Sequence, residues 1–195
     1  MDNPLNRFIS PVARVVAILC GYGVLLLSFA IVVEIIGRKL FEFSLQGIDD
    51  IGGNVLAVTA AVGISYTLVA KGHVRIDVFL TRFPRPLRRF LNMLASVTLA
   101  SLALFALWRG WAVLAESIEF QSTATNPLQT PLWIPQGLWV LGLAFFAVFA
   151  TTYALHALYL YLSGSPLLDV FYGPPSARDE LESELKLRRE LEAGQ

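Results

Sequence analysis

Charge is spread very unevenly along these 195 residues. Lys, Arg, Asp and Glu make up 15% of the chain, well below the ~25% of an ordinary soluble domain, and they gather in short clusters. Between the clusters run four long apolar stretches, at about 15–36, 48–70, 87–115 and 134–162. An α-helix rises ~1.5 Å per residue and a bilayer's hydrocarbon core is ~30 Å thick, so stretches of this length can cross it. The mean hydropathy of +0.61 agrees. The expected fold is an all-α integral membrane protein with four transmembrane helices and little room for a soluble domain. Ser28, Phe29 and Ala30 resemble a cleavage site, but the first stretch is expected to stay in place as a helix.

The 71–89 segment sets the orientation. It holds Lys71, Arg75, Arg82, Arg85, Arg88 and Arg89, six of the fifteen Lys and Arg residues. Basic loops beside spanning helices stay in the cytoplasm. With four spans, both termini are then cytoplasmic too, and Arg7 and Arg14 fit that. The 116–133 segment has acids and no Lys or Arg, as expected of an external loop, whereas Arg38 and Lys39 in the 37–47 loop run against the rule. Residues 1–165 form the membrane domain. Residues 166–195 are linker and tail, with the Gly- and Pro-containing 163–175 segment reading as linker. A short C-terminal cytoplasmic helix is expected after Ser176, which stands three residues before Asp179 in an approximate capping box.

Candidate chemistry is sparse. The single cysteine, Cys20, rules out an internal disulfide, a CxxC pair and a Cys-based metal cluster. No Gly-rich phosphate loop, nucleophile–base signature or metal-ligand spacing is present, so an enzyme is not expected, nor a cofactor, nor a nucleic-acid partner. Glu34 precedes Arg38 by four residues, the favourable order for a helical ion pair, near the outer end of the first span. Arg109, between Trp108 and Trp111, reads as an outer-interface residue that could join Glu34 or Asp50. A coupling carboxylate for a small exporter would lie at mid-membrane, which Glu34 does not. His73 and His156 are the two histidines; a cytochrome b-like electron carrier using both is the alternative to a structural role. Asp49 and Asp50 open the second span, where acids complement the helix dipole.

Two stripes of small residues stand out. Gly53, Ala57, Ala61 and Ser65 recur every fourth residue in the second span. Ala147, Ala150, Ala154 and Ala157 recur at three, four and three in the last. Small residues let helices approach closely in a membrane, either within the subunit or against a partner.

Four local patterns, in order on four spans, together resemble one family. Asp49-Asp50 stands at the start of the second span. Gly72-His73-Val74-Arg75-Ile76-Asp77 follows it. Pro84 precedes the third span, and Thr130-Pro131 precedes the fourth, with Pro135 in its first turn. Over roughly 10–165 the chain resembles the small membrane subunit, the DctQ type, of tripartite ATP-independent periplasmic (TRAP) transporters. Asp at 49 and 50 replaces the family's commoner Glu. The resemblance implies a multi-pass protein of the bacterial inner membrane, surrounded by membrane lipids and paired with a large membrane subunit. That large subunit carries the substrate and sodium sites, and a periplasmic substrate-binding protein delivers an organic acid, often a carboxylate or sugar acid. The small subunit then enlarges the scaffold against which the transport domain moves.

Overall fold

The computed structural model describes residues 6–41, 47–70, 83–125, 129–165, 167–173 and 185. Five helices run through them in chain order: α1 (Asn6–Phe41), α2 (Ile48–Val69), α3 (Arg85–Glu119), α4 (Trp133–Leu162) and the short α5 (Leu167–Tyr172). The first four are long and apolar enough to cross a membrane. α1 and α3 outrun the apolar stretches that mark them, because hydropathy counts only the part suited to hydrocarbon while the polar flanks keep the helical pitch.

Local chemistry sets the ends. Pro84 stands in an extended conformation before α3 and Pro86 falls in its first turn, where a missing N–H costs nothing. Gly47, at φ 85°, precedes α2 and accepts a hydrogen bond from the Ile51 amide at 3.1 Å. α4 closes on Gly164, at φ 65°. There the amides of Gly164 and Ser165 donate to the carbonyls of Tyr161 and Leu160, both at 3.1 Å. A left-handed glycine just past a helix end is a common way to satisfy its last carbonyls, and here it turns the chain back along the bundle.

The main contacts are α1 with α2, α2 with α4, and α4 with α3, so the long helices form a row, α1–α2–α4–α3; α5 packs on α3 and α4. On α1 the buried residues are Ala13, Leu27 and Glu34, with half-buried Cys20 between them. Positions 13, 20, 27 and 34 are seven apart, the spacing of a single helix–helix seam. One core cluster lies between α3 and α4, around Ala100, Ala103, Phe146, Ala147, Ala150 and Ala154. The other lies where α5 folds back, around Ala13, Val69, Tyr153, Ala157, Leu168 and Tyr172. The α5 end of the row carries Arg7, Arg14, Arg85, Arg88 and Arg89 and is called the basic end below. The opposite, acidic end carries Glu34, Asp50, Glu116 and Glu119.

The 163–175 segment, read from sequence as a linker, contains α5. Leu167, Leu168, Phe171 and Tyr172 fall on one side of that single helical turn and a half, and Leu168 is fully buried. Apart from Leu185, the expected tail helix lies outside the described residues.

Candidate functional site

The two small-residue stripes have different surroundings. In α4, Ala147, Ala150, Ala154 and Ala157 are all buried. Alternating steps of three and four keep close to one helix face, and that face is covered within the chain. In α2, Ala61 and Ser65 are buried but Gly53 and Ala57 are exposed. Steps of four turn ~40° each about the helix axis, so Gly53 and Ser65 point about 120° apart. Ala61 meets α4 where Gly142 passes: a Cβ on Gly142 would come within 2.9 Å of the Ala61 Cβ and 3.4 Å of the Val62 amide nitrogen. Nothing comes within 4 Å of a Cβ built on Gly53. Asn54 and Ala60 are exposed with it.

At the acidic end, Glu34 is 3% exposed. Arg38 Nε donates to Glu34 Oε1 at 2.9 Å, and its Nη2 binds the same oxygen. The carboxylate is on the seam facing α2 and the guanidinium reaches out from the next turn. Arg109 does not share in this pair. Its guanidinium carbon lies 5.7 Å above the Trp108 ring. Asp49 and Asp50 both lie in the first turn of α2, and Asp50 is exposed. Thr130 and Pro131 form part of a short antiparallel bridge in which the Ala124 amide donates to the Thr130 carbonyl at 2.9 Å, and the Leu132 amide to the Ser122 carbonyl at 2.9 Å. Pro135 sits in the first turn of α4. It also lines an apolar cavity of about 330 Å³ between α1, α2 and α4, with Cys20, Asn54, Val58, Thr59 and Leu138.

At the basic end the sequence reading missed a polar cluster. Tyr153 donates to Asn6 Oδ1 at 2.5 Å, tying the start of α1 to α4. His156 Nδ1 lies 2.8 Å from the Tyr172 hydroxyl, tying α5 to α4. The rings of Tyr153 and Tyr172 meet edge to face at 6.4 Å. No periodic signal marks α5 in the sequence, because it spans six residues. Gly72, His73, Arg75 and Asp77 lie outside the described residues, and Pro84 stands immediately before α3.

The described residues are arranged to pack helices. Among the described residues no three of His, Cys, Asp and Glu come together as a metal-binding group. Both polar clusters are engaged in contacts between or along helices. A family model, tripartite ATP-independent periplasmic transporters, DctQ component, matches residues 27–159, more than half of the chain. The match begins inside α1 and ends near the close of α4, so it covers the row of spans. No curated relative matches the chain. The chain belongs to the DctQ component family of tripartite ATP-independent periplasmic transporters, a multi-pass membrane component of a transport system and not an enzyme.

Proposed function

We propose that this chain is the scaffold subunit of a sodium-driven, binding-protein-dependent importer of organic acids in the bacterial inner membrane. It pairs with a large membrane subunit that holds the substrate and sodium sites, and a periplasmic binding protein supplies the carboxylate or sugar acid. The observation that carries the pairing is the split of the α2 stripe. Ala61 and Ser65 are used inside the chain, while Gly53, Ala57 and Ala60 remain exposed on a helix that already packs on both sides. Helix contacts within a membrane favour small residues because they let backbones approach. An exposed small face beside Asn54 therefore suits another helix better than lipid. The basic end, with the 71–89 segment, faces the cytoplasm on this reading. The 72–77 motif would then fix the cytoplasmic turn between α2 and α3.

The experiment is co-purification with the large subunit after co-expression. Ala57→Leu should reduce recovery of the pair while the isolated chain stays as stable as wild type. Full recovery of the pair, with full uptake, would remove this face from the interface. Cysteines placed at 121 and 82 report orientation in the same cells. An impermeant reagent added outside should label the first alone, and the reverse pattern inverts the assignment.

A further inference from the structure

α3 carries positive charge at two levels. Arg88 and Arg89 stand near its start, the next cation is Arg109, and no charged residue lies between. Twenty residues separate Arg89 from Arg109, about 30 Å of helix, which is the thickness of the hydrocarbon core. With Arg89 at one boundary, Arg109 stands at the headgroup level of the leaflet at the acidic end. The neighbouring rings agree: Trp108 and Trp111 are each 63% exposed, and exposed tryptophan favours that level.

The described chain offers Arg109 no carboxylate. One turn away on α3 stand Phe105, Ala106, Ala112 and Val113, and Glu116 is about two turns off. α4, which packs at this level through Trp139, Val140 and Leu143 around Gly110, has no Asp or Glu anywhere. Glu34 is bound by Arg38, and Asp50 belongs to α2, whose main neighbours are α1 and α4. Arg109 is exposed, with its guanidinium over the Trp108 ring.

We propose that Arg109, flanked by Trp108 and Trp111, binds the phosphate of a phospholipid in this leaflet, whose acyl chain lies along Phe105 and Leu102. Those two residues stand four and seven positions before Arg109, on the same side of α3, and both are exposed. Guanidinium matches phosphate oxygens in a bidentate fork. The most exposed neighbours on this side, Leu102, Phe105, Trp108 and Trp111, are large and aromatic or aliphatic, as suits acyl chains, whereas a close-packed partner helix favours small residues. The site stands apart from the exposed face of α2 and does not depend on the pairing proposed above.

The test is native mass spectrometry of the full chain in detergent, titrated with phosphatidylglycerol and with diacylglycerol of the same chains. The wild type should prefer the phosphatidylglycerol. Arg109→Gln should weaken that preference about fivefold, the worth of one cation near an anionic surface, and Arg109→Lys should keep most of it. An unchanged preference in Arg109→Gln overturns the site, including the case where the variant lowers recovery of the large subunit instead. A second measurement leaves Arg109 intact. In a Trp133→Phe, Trp139→Phe chain in phosphatidylglycerol vesicles, bromine near the glycerol end of the acyl chain should quench fluorescence more than bromine near the methyl end. The opposite order overturns the proposal.

Discussion

Half of the most apolar stretch of α4 is buried within the chain, against 6% of that of α1. Hydropathy alone ranks them the other way, with α1 the more apolar. α4 touches α2, α3 and α5, and α1 leans mainly on α2. The difference follows from where the small residues fall. α4 brings Gly142, Ala147, Ala150, Ala154 and Ala157 to its contacts, all buried, while Gly21 and Gly23 of α1 have nothing within 4 Å of a built Cβ. In a membrane apolar character decides that a helix can insert, and side-chain size decides what it packs against. α4 is thus the hub of the subunit and α1 its edge.

The sharpest way to break this contrast is to place the same bulky side chain on both helices. Gly142→Leu drives a side chain into the Ala61 Cβ and the Val62 backbone, and overpacking a close contact costs about 3 kcal/mol at the upper end of the usual range. Gly23→Leu enters open space and should leave the isolated chain within about 0.5 kcal/mol of wild type. Unfolding of the purified chain in mixed micelles, followed by circular dichroism, measures both. Equal losses would mean that α1 is packed as tightly as α4.

A smaller effect is expected at the acidic end of the α1–α2 seam. Arg38→Ala removes the guanidinium from Glu34, whose side chain is only 4% exposed, while that of Arg38 is 61% exposed. An exposed partner limits the worth of an ion pair. A buried carboxylate that loses a donor raises it. The same unfolding measurement should show a loss of about 1 kcal/mol, between those two limits. No loss at all would mean that water already shares the carboxylate.

The four spans, the Glu34–Arg38 pair and the start of α3 after Pro84 were legible in the sequence, because each depends on local facts: charge spacing, an i,i+4 pattern, a proline. Facing was not. Gly53, Ala57, Ala61 and Ser65 look like one stripe in one dimension, but a period of four winds around a 3.6-residue helix, and the structure puts the two halves in different surroundings. α5 was illegible for another reason. Its six residues are too short to show a period, and Ser163, Gly164 and Ser165 before it read as loop. Its place depends on the surface that α3 and α4 offer, with Ala13 of α1 and Val69 of α2 joining the same core cluster, which no local pattern reports. Arg109 reads from its tryptophans as an interface residue, but the suggested acidic partners lie on helices that are not the main neighbours of α3.

The smallest expected effect is at the basic end, where the hub and the edge are joined. Tyr172→Phe removes the hydroxyl that meets His156 Nδ1 and keeps the ring that packs on Tyr153 and His156. Hydrogen bonds between membrane helices average about 0.6 kcal/mol, because the unfolded chain in a micelle also finds partners for its polar groups. Tyr172 is 5% exposed and lies in the same cluster as the fully buried Leu168, so apolar packing should hold α5 with or without the hydroxyl. The variant should therefore lose roughly 0.6 kcal/mol and keep α5 docked, read as unchanged disulfide formation between cysteines placed at 157 and 168 in a chain lacking Cys20. A loss several times larger, with α5 released, would make the His156–Tyr172 contact the main fastening of the segment. The polar cluster, rather than the small residues of α4, would then define the hub at this end.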